Sequence, residues 1–234
     1  MRGCLFVLVF AAAVLSAVAW FGSPVIASVV ISSALQNAGY SAASSTVTAT
    51  AHPPPKLLIG RADRVEIAGS DVHFRTFHAA SVDLVLSDVD IVARTAGRIS
   101  GRITAAELTT NAGEATGVDV AIDGPADAAG AVIVVDAATV DGLVKTTFEQ
   151  RFDVAVTSTT LIAPDTIRIT VLGSTVVGRV LIDGTGAIAF STSLGSSPIL
   201  SLDRSFPLRL RSVRVEAGDL RIEATLDATA LLGG

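Results

Sequence analysis

The side chains that could carry chemistry are few, and they fall in small groups. Asp83, Asp88 and Asp90 lie close together. Asp88 and Asp90 are two apart, so they share one face of an extended strand. Paired carboxylates at that spacing can do acid–base work or bind calcium, but alternating acids also simply keep a strand face in water, which is the preferred reading here. Arg209, Arg211 and Arg214 decorate a late stretch of the chain. Guanidinium groups match phosphate geometry, which makes these three candidate contacts to a lipid phosphate. The competing reading is a solvated strand face that discourages edge pairing. His73 and His78 are five apart. That odd spacing sends them to opposite faces of a regular strand, so they read as surface side chains and not as a metal pair. His52 sits beside a run of prolines.

Catalytic motifs are missing. The chain has no G-x-S-x-G elbow, no H-E-x-x-H and no G-x-x-x-x-G-K-[ST] loop. Gly184-Thr185-Gly186 is a lone G-x-G with no helix after it, so it reads as a turn. One cysteine excludes a disulfide framework and a Cys-based zinc site. No catalytic residue, metal site or cofactor is therefore expected, and the chain is not read as an enzyme. A glycan hydrolase using Asp83, Asp88 or Asp90 is the weakest of the readings considered.

Composition narrows the class. Of 234 residues 50% are hydrophobic, only 5% aromatic and 17% charged, with a net charge of -5. That is too apolar for a disordered chain. Two lysines, Lys56 and Lys145, in an acidic chain exclude the basic face that nucleic-acid binding needs. The charge is unevenly placed: from Gly3 to Pro55 there is no Asp, Glu, Lys or Arg. Within that stretch Leu5 to Phe21 is apolar apart from Ser16, behind Arg2. Residues 1–21 thus read as a signal peptide or a membrane anchor. Ala17-Val18-Ala19 fits a cleavage site, and Arg2 stays on the cytoplasmic side in either case. Residues 22–234 are expected to be one exported domain, periplasmic or in the cell envelope. Cys4 lies too close to Met1 for a lipobox.

In the exported part, Ser23-Pro24 is a helix start. Val25, Ile26, Val29, Val30 and Leu35 form a helical stripe that ends before Gly39. A helix of about 24–38 without charge must pack on something or lie at a membrane surface. After Ala51-His52-Pro53-Pro54-Pro55 the pattern is mostly that of strands. Val65/Ile67 and Val72/Phe74 flank Gly69-Ser70-Asp71, a hairpin signal. Alternation continues over 82–93, 103–108 and 118–122, and then at Ile167/Ile169/Val171, Val180/Ile182, Ile188/Phe190, Leu208/Leu210 and Leu220/Ile222. One amphipathic helix interrupts the strands. Asp136 can cap it, and Val140, Leu143, Val144, Thr147 and Phe148 occupy one face. Gly142 weakens that helix and is a candidate for close packing.

An internal echo is present. Leu84-x-Leu86-x-x-Val89-x-Ile91 recurs as Leu208-x-Leu210-x-x-Val213-x-Val215. In each copy the apolar residues change parity, which predicts a bulge near Ser87-Asp88 and another near Arg211-Ser212. The echo is compatible with two related β-rich halves, or with chance similarity.

Several stretches carry a resemblance. They are Lys56-Leu57-Leu58-Ile59-Gly60-Arg61-Ala62-Asp63-Arg64-Val65-Glu66-Ile67, Val82-Asp83-Leu84 with Leu86-Ser87-Asp88-Val89, and Phe206-Pro207-Leu208-Arg209-Leu210 through Val213-Arg214-Val215 to Gly218-Asp219-Leu220. The chain here resembles the LmeA-like phospholipid-binding proteins of the actinobacterial cell envelope, from about Pro24 to Leu226. The resemblance implies an α+β, mostly β fold: a long curved antiparallel sheet wrapped around an amphipathic helix, like the tubular lipid-binding (TULIP) proteins. It also implies a non-catalytic phospholipid binder that supports envelope lipid or glycolipid homeostasis. Val65, Ile67, Leu84, Leu86 and Phe190, with Val140, Leu143, Val144 and Phe148 of the helix, would line the acyl groove. The expected partners are phospholipid and, through the N-terminal segment, the cytoplasmic membrane. The alternative is an exported β-rich structural or protein-interaction domain in which those same residues form a solid core.

Overall fold

The computed structural model describes residues 24–33, 35–37, 39–74, 77–110, 113–192, 195–200 and 207–229. Residues 24–33 and 35–37 are helical and form α1. Among the described residues, thirteen strands and a second helix follow in the order β1 (Tyr40–Thr50), β2 (Arg61–Phe74), β3 (Phe77–Asp90), β4 (Arg98–Thr110), β5 (Gly113–Pro125), β6 (Ala129–Val135), α2 (Ala137–Phe152), β7 (Val156–Ile162), β8 (Thr166–Val171), β9 (Ser174–Ile182), β10 (Ile188–Thr192), β11 (Gly195–Leu200), β12 (Leu208–Glu216) and β13 (Asp219–Leu226). The prolines after β1 start a 3-10 turn, Pro54–Ile59, which Gly60 ends in a left-handed conformation.

The fold is α+β and mostly β, as the alternation implied. Eight strands form one antiparallel sheet in the order β1-β2-β3-β4-β5-β6-β13-β12. A second sheet, not anticipated as separate, runs β11-β10-β9-β8-β7. Helix α2 lies between them, touching β5 and β13 on one side and β7 and β11 on the other. Its sequence explains the placement. Asp136 accepts a 2.6 Å hydrogen bond from the Thr139 N–H and so caps the first turn. Val140, Leu143, Val144 and Thr147 then fall on one buried side.

The large sheet presents apolar rows to its covered face. One row crosses from Val72 through Ala79, Ala106, Val118, Val135 and Leu220 to Val215. Another crosses from Ile67 through Leu84, Gly101, Ile122, Ala131 and Ala224 to Leu210. The first row belongs to a core shared with α2 and the second sheet. Most of the second belongs to another core, closed by Ala27 of α1 and by Leu57 of the 3-10 turn. Leu84, Ile103, Val120, Leu208 and Leu210 are only partly buried and pack against both cores.

Three local expectations change. No hairpin forms at Gly69-Ser70-Asp71, because β2 runs through to Phe74 and turns back only there. Asp71 takes a left-handed φ of 49° inside the strand, which reverses the side-chain parity from Val65 and Ile67 to Val72 without a turn. In α1 the apolar stripe is divided between the sheet and solvent. Ala27, Ile31 and Leu35 meet the sheet, while Val25, Ile26, Val29 and Val30 are exposed. Ser28 fixes that orientation by donating to the Pro24 carbonyl at 2.9 Å and accepting from the Ala49 N–H at 3.3 Å. The bulge anticipated near Arg211-Ser212 is present as a register shift between Leu210 and Ser212. At the matching place in β3, Asp88 has a φ of 54° and the pairing with β2 keeps its register.

Gly142 permits no close packing, since a β-carbon there would meet nothing within 4 Å. Gly142→Ala is therefore expected to raise stability by about 0.5–1 kcal/mol, the propensity difference alone. Urea unfolding measures this, and a loss of stability would show that the helix is closely packed on that side.

Candidate functional site

The residues expected to line an acyl groove are divided among four environments. Val65, Ile67 and Leu86 are buried in the core under α1, where side chains fill the space. Val140, Leu143 and Val144 are buried in the core between the sheets. Leu84 is half-buried where the two cores meet. Phe148 and Phe190 border open space.

That space is a cavity of 310 Å³ between the C-terminal end of α2 and the second sheet, with Phe148, Phe152, Val171, Val176 and Phe190 among its walls. The Phe148 ring lies 5.2 Å from Phe152 and 5.8 Å from Phe190, centroid to centroid. Phe190 is 1% exposed, whereas Phe152 is 50% exposed and stands at the rim. Among the described residues, Arg151 is the one charged residue of the lining. Its guanidinium lies 5.8 Å from the centre of the Phe152 ring, and among the described residues no carboxylate is within ion-pair distance of it. An apolar hollow with a single free cation at its edge is suited to an amphiphile with an anionic head.

Arg151 and Phe152 were missed in the sequence, although a signal existed. They lie three and four residues beyond Phe148, on the continuation of the same helical face. The three expected arginines are elsewhere, on β12. Arg209 is exposed. Arg211, at the bulge, borders a shallow depression with Asp123 and Glu223. Arg214 lies 3.4 Å from both Glu216 and Glu223. Of the three aspartates, Asp90 is engaged in a turn, accepting the N–H groups of Val92 and Ala93 at 3.1 and 2.8 Å.

The family pattern of the LmeA-like phospholipid-binding proteins matches residues 13–225, nearly the whole chain and every element around the cavity. The protein belongs to the LmeA-like phospholipid-binding family. No curated protein and no solved structure matches it. Phospholipid binding is the property by which the LmeA-like family is described.

A second cluster of this LmeA-like chain lies away from the cavity. His73 and His78, expected on opposite faces of one strand, stand directly opposite each other on β2 and β3. Their rings stack at 4.3 Å. His78 Nε2 is 2.9 Å from Asp71 Oδ1, and His78 Nδ1 is 3.0 Å from Glu107 Oε2. The Asp71 carboxylate, then Glu107, raise the His78 pKa above its ordinary value, while the hydrogen bond from His78 lowers that of Asp71. A histidine raised on folding stabilises the fold below its unfolded pKa, and that contribution disappears as pH rises through the folded value. NMR titration should thus give His78 a pKa above 6.5, and Asp71→Asn and Glu107→Gln should each lower it. A His78 pKa unmoved by both substitutions would contradict the pairing.

Proposed function

We propose that this protein is a non-catalytic phospholipid binder exported to the cell envelope, where it supports envelope lipid or glycolipid homeostasis. One acyl segment enters the cavity between α2 and the second sheet, and the lipid phosphate meets Arg151. The single observation behind this reading is that 310 Å³ hollow walled by Phe148, Phe152, Val171, Val176 and Phe190. Its size is at the lower end of small-molecule sites, about 300–1,000 Å³. The cavity therefore takes part of a chain, while the remainder of the lipid lies along the surface. Each buried methylene contributes about 0.8 kcal/mol.

The membrane is the source of that lipid. Val25, Ile26, Val29 and Val30 form an exposed apolar face on α1, and Leu58 and Ile59 are exposed on the 3-10 turn whose Leu57 shares a core with Ala27. This face follows the apolar run from Leu5 to Phe21 in the chain. No helix among the described residues is long and apolar enough to cross a bilayer. In our reading α1 lies on the membrane surface, and residues 5–21 guide it there as an anchor or before their removal.

Mass spectrometry of lipids extracted from the purified protein is the test. Phospholipid should be recovered with the native chain. Phe152→Ser changes a half-exposed rim residue, and Arg151→Glu inverts the cation. Each should lower lipid recovery about tenfold, roughly 1.4 kcal/mol, with folding unchanged. Equal recovery from both variants would remove the cavity as the site. No phospholipid with the native chain would favour the β-rich interaction domain.

A further inference from the structure

We propose that Asp71, His73 and His78 form a binding site for a divalent transition-metal ion of the zinc class, with Glu107 as the residue that orients His78. The candidate ligand atoms of the first three all lie within 4.8 Å of one another. Asp71 Oδ1 is 2.9 Å from His78 Nε2 and 3.5 Å from His73 Nε2. Neighbouring ligands around tetrahedral zinc, with bonds of about 2.0–2.1 Å, stand roughly 3.3–3.4 Å apart. Two imidazoles and one carboxylate are a donor set that this class of ion prefers, and water completes the coordination.

Backbone geometry brings these residues together. The left-handed Asp71 reverses the parity of β2, so Asp71 and His73 both stand on the exposed side while Val72 between them is buried. The β2–β3 register then places His78 opposite His73, and the β3–β4 register places Glu107 opposite His78. Three neighbouring strands thus contribute to one cluster. The contact between His78 Nδ1 and Glu107 Oε2 at 3.0 Å is the kind of carboxylate support that fixes a ligating imidazole, leaving Nε2 toward Asp71. The two rings are only 21° from parallel, so binding requires His73 to turn. Its side chain is 55% exposed and has room to do so. A bound ion would cross-link β2 and β3 beside their turn. None of these residues lines the apolar cavity, so the inference stands apart from the lipid reading.

The test is calorimetric titration of the full-length protein in detergent with zinc chloride at neutral pH. Saturable one-to-one uptake is expected, with a dissociation constant in the micromolar range and a rise in the thermal midpoint on loading. His73→Ala and His78→Ala should each weaken uptake at least tenfold, and Glu107→Gln about 10–100-fold. Cys4→Ser and His52→Ala should leave it unchanged. The side chains of His73, His78 and Glu107 reach solvent, and far-UV circular dichroism of each variant establishes that it is folded. Absence of saturable uptake by the native chain overturns the proposal. So does uptake that survives the double substitution His73→Ala/His78→Ala, or that is lost in Cys4→Ser or His52→Ala.

Discussion

Phe190→Ala is expected to destabilise the protein by about 3–5 kcal/mol, the range for removing a large buried aromatic. Phe190 is 1% exposed and belongs to the core shared by α2 and both sheets. Its ring meets Phe148 on α2 and packs over Gly178 of β9. A β-carbon at Gly178 would come within 2.5 Å of the Phe190 ring. Gly178 itself has no side chain to fill the gap, which leaves Val176 and Val180 on either side of it as the β9 neighbours that could relax inward. Because Phe190 also walls the cavity, the substitution enlarges the hollow as well as weakening the second sheet. Urea unfolding at constant m-value measures the loss. A change under about 1 kcal/mol would mean that the second sheet is not held on α2 by this ring. Phe152→Ser separates the two roles, since Phe152 borders the same cavity but is half-exposed.

Much of the architecture was legible because periodicity reports burial. The stripe Val140, Leu143, Val144, Thr147 and the cap at Asp136 placed α2 correctly. The parity change at Arg211-Ser212 located a bulge. Strand β1 was not legible: Tyr40–Thr50 is rich in Ser, Thr and Ala, and as an edge strand paired only with β2 it buries little beyond Ala49. The outward turn of α1 was hidden for a related reason. Its sequence offers small and large apolar residues on several faces, and the small Ala27 is the one fully buried, with Ile31 and Leu35 packed beside it. The site was harder still. Val65, Val144 and Phe190 are alike in sequence, and burial by neighbouring side chains cannot be distinguished there from a position beside a hollow. The His73–His78 pair depends on cross-strand register, which no spacing along one strand contains. The family resemblance, in contrast, was carried by short apolar and turn patterns that survive without knowledge of the register.

Gly101→Ala should be about as costly as the loss of Phe190, although it adds a single methyl. Gly101 lies in the row between Leu84 and Ile122, on the central strand β4. Its φ of 152° is one that residues with a β-carbon rarely adopt. A β-carbon there would overlap the Asp83 carbonyl oxygen and stand 2.9 Å from Leu84 Cα. Both obstacles are backbone of β3, so no rotamer change relieves them, and β3 and β4 must separate locally. Overpacking of about 1–3 kcal/mol and backbone strain of about 1–3 kcal/mol together predict a loss of roughly 2–6 kcal/mol. The same change at Gly142, where nothing stands within 4 Å, is expected to stabilise. Opposite signs for one substitution at two glycines distinguish backbone contact from helix propensity. The comparison is made by urea unfolding of both variants, with amide exchange across Ser81–Leu86 reporting whether β3 opens. A neutral Gly101→Ala would mean that β3 and β4 do not approach as closely as this register requires.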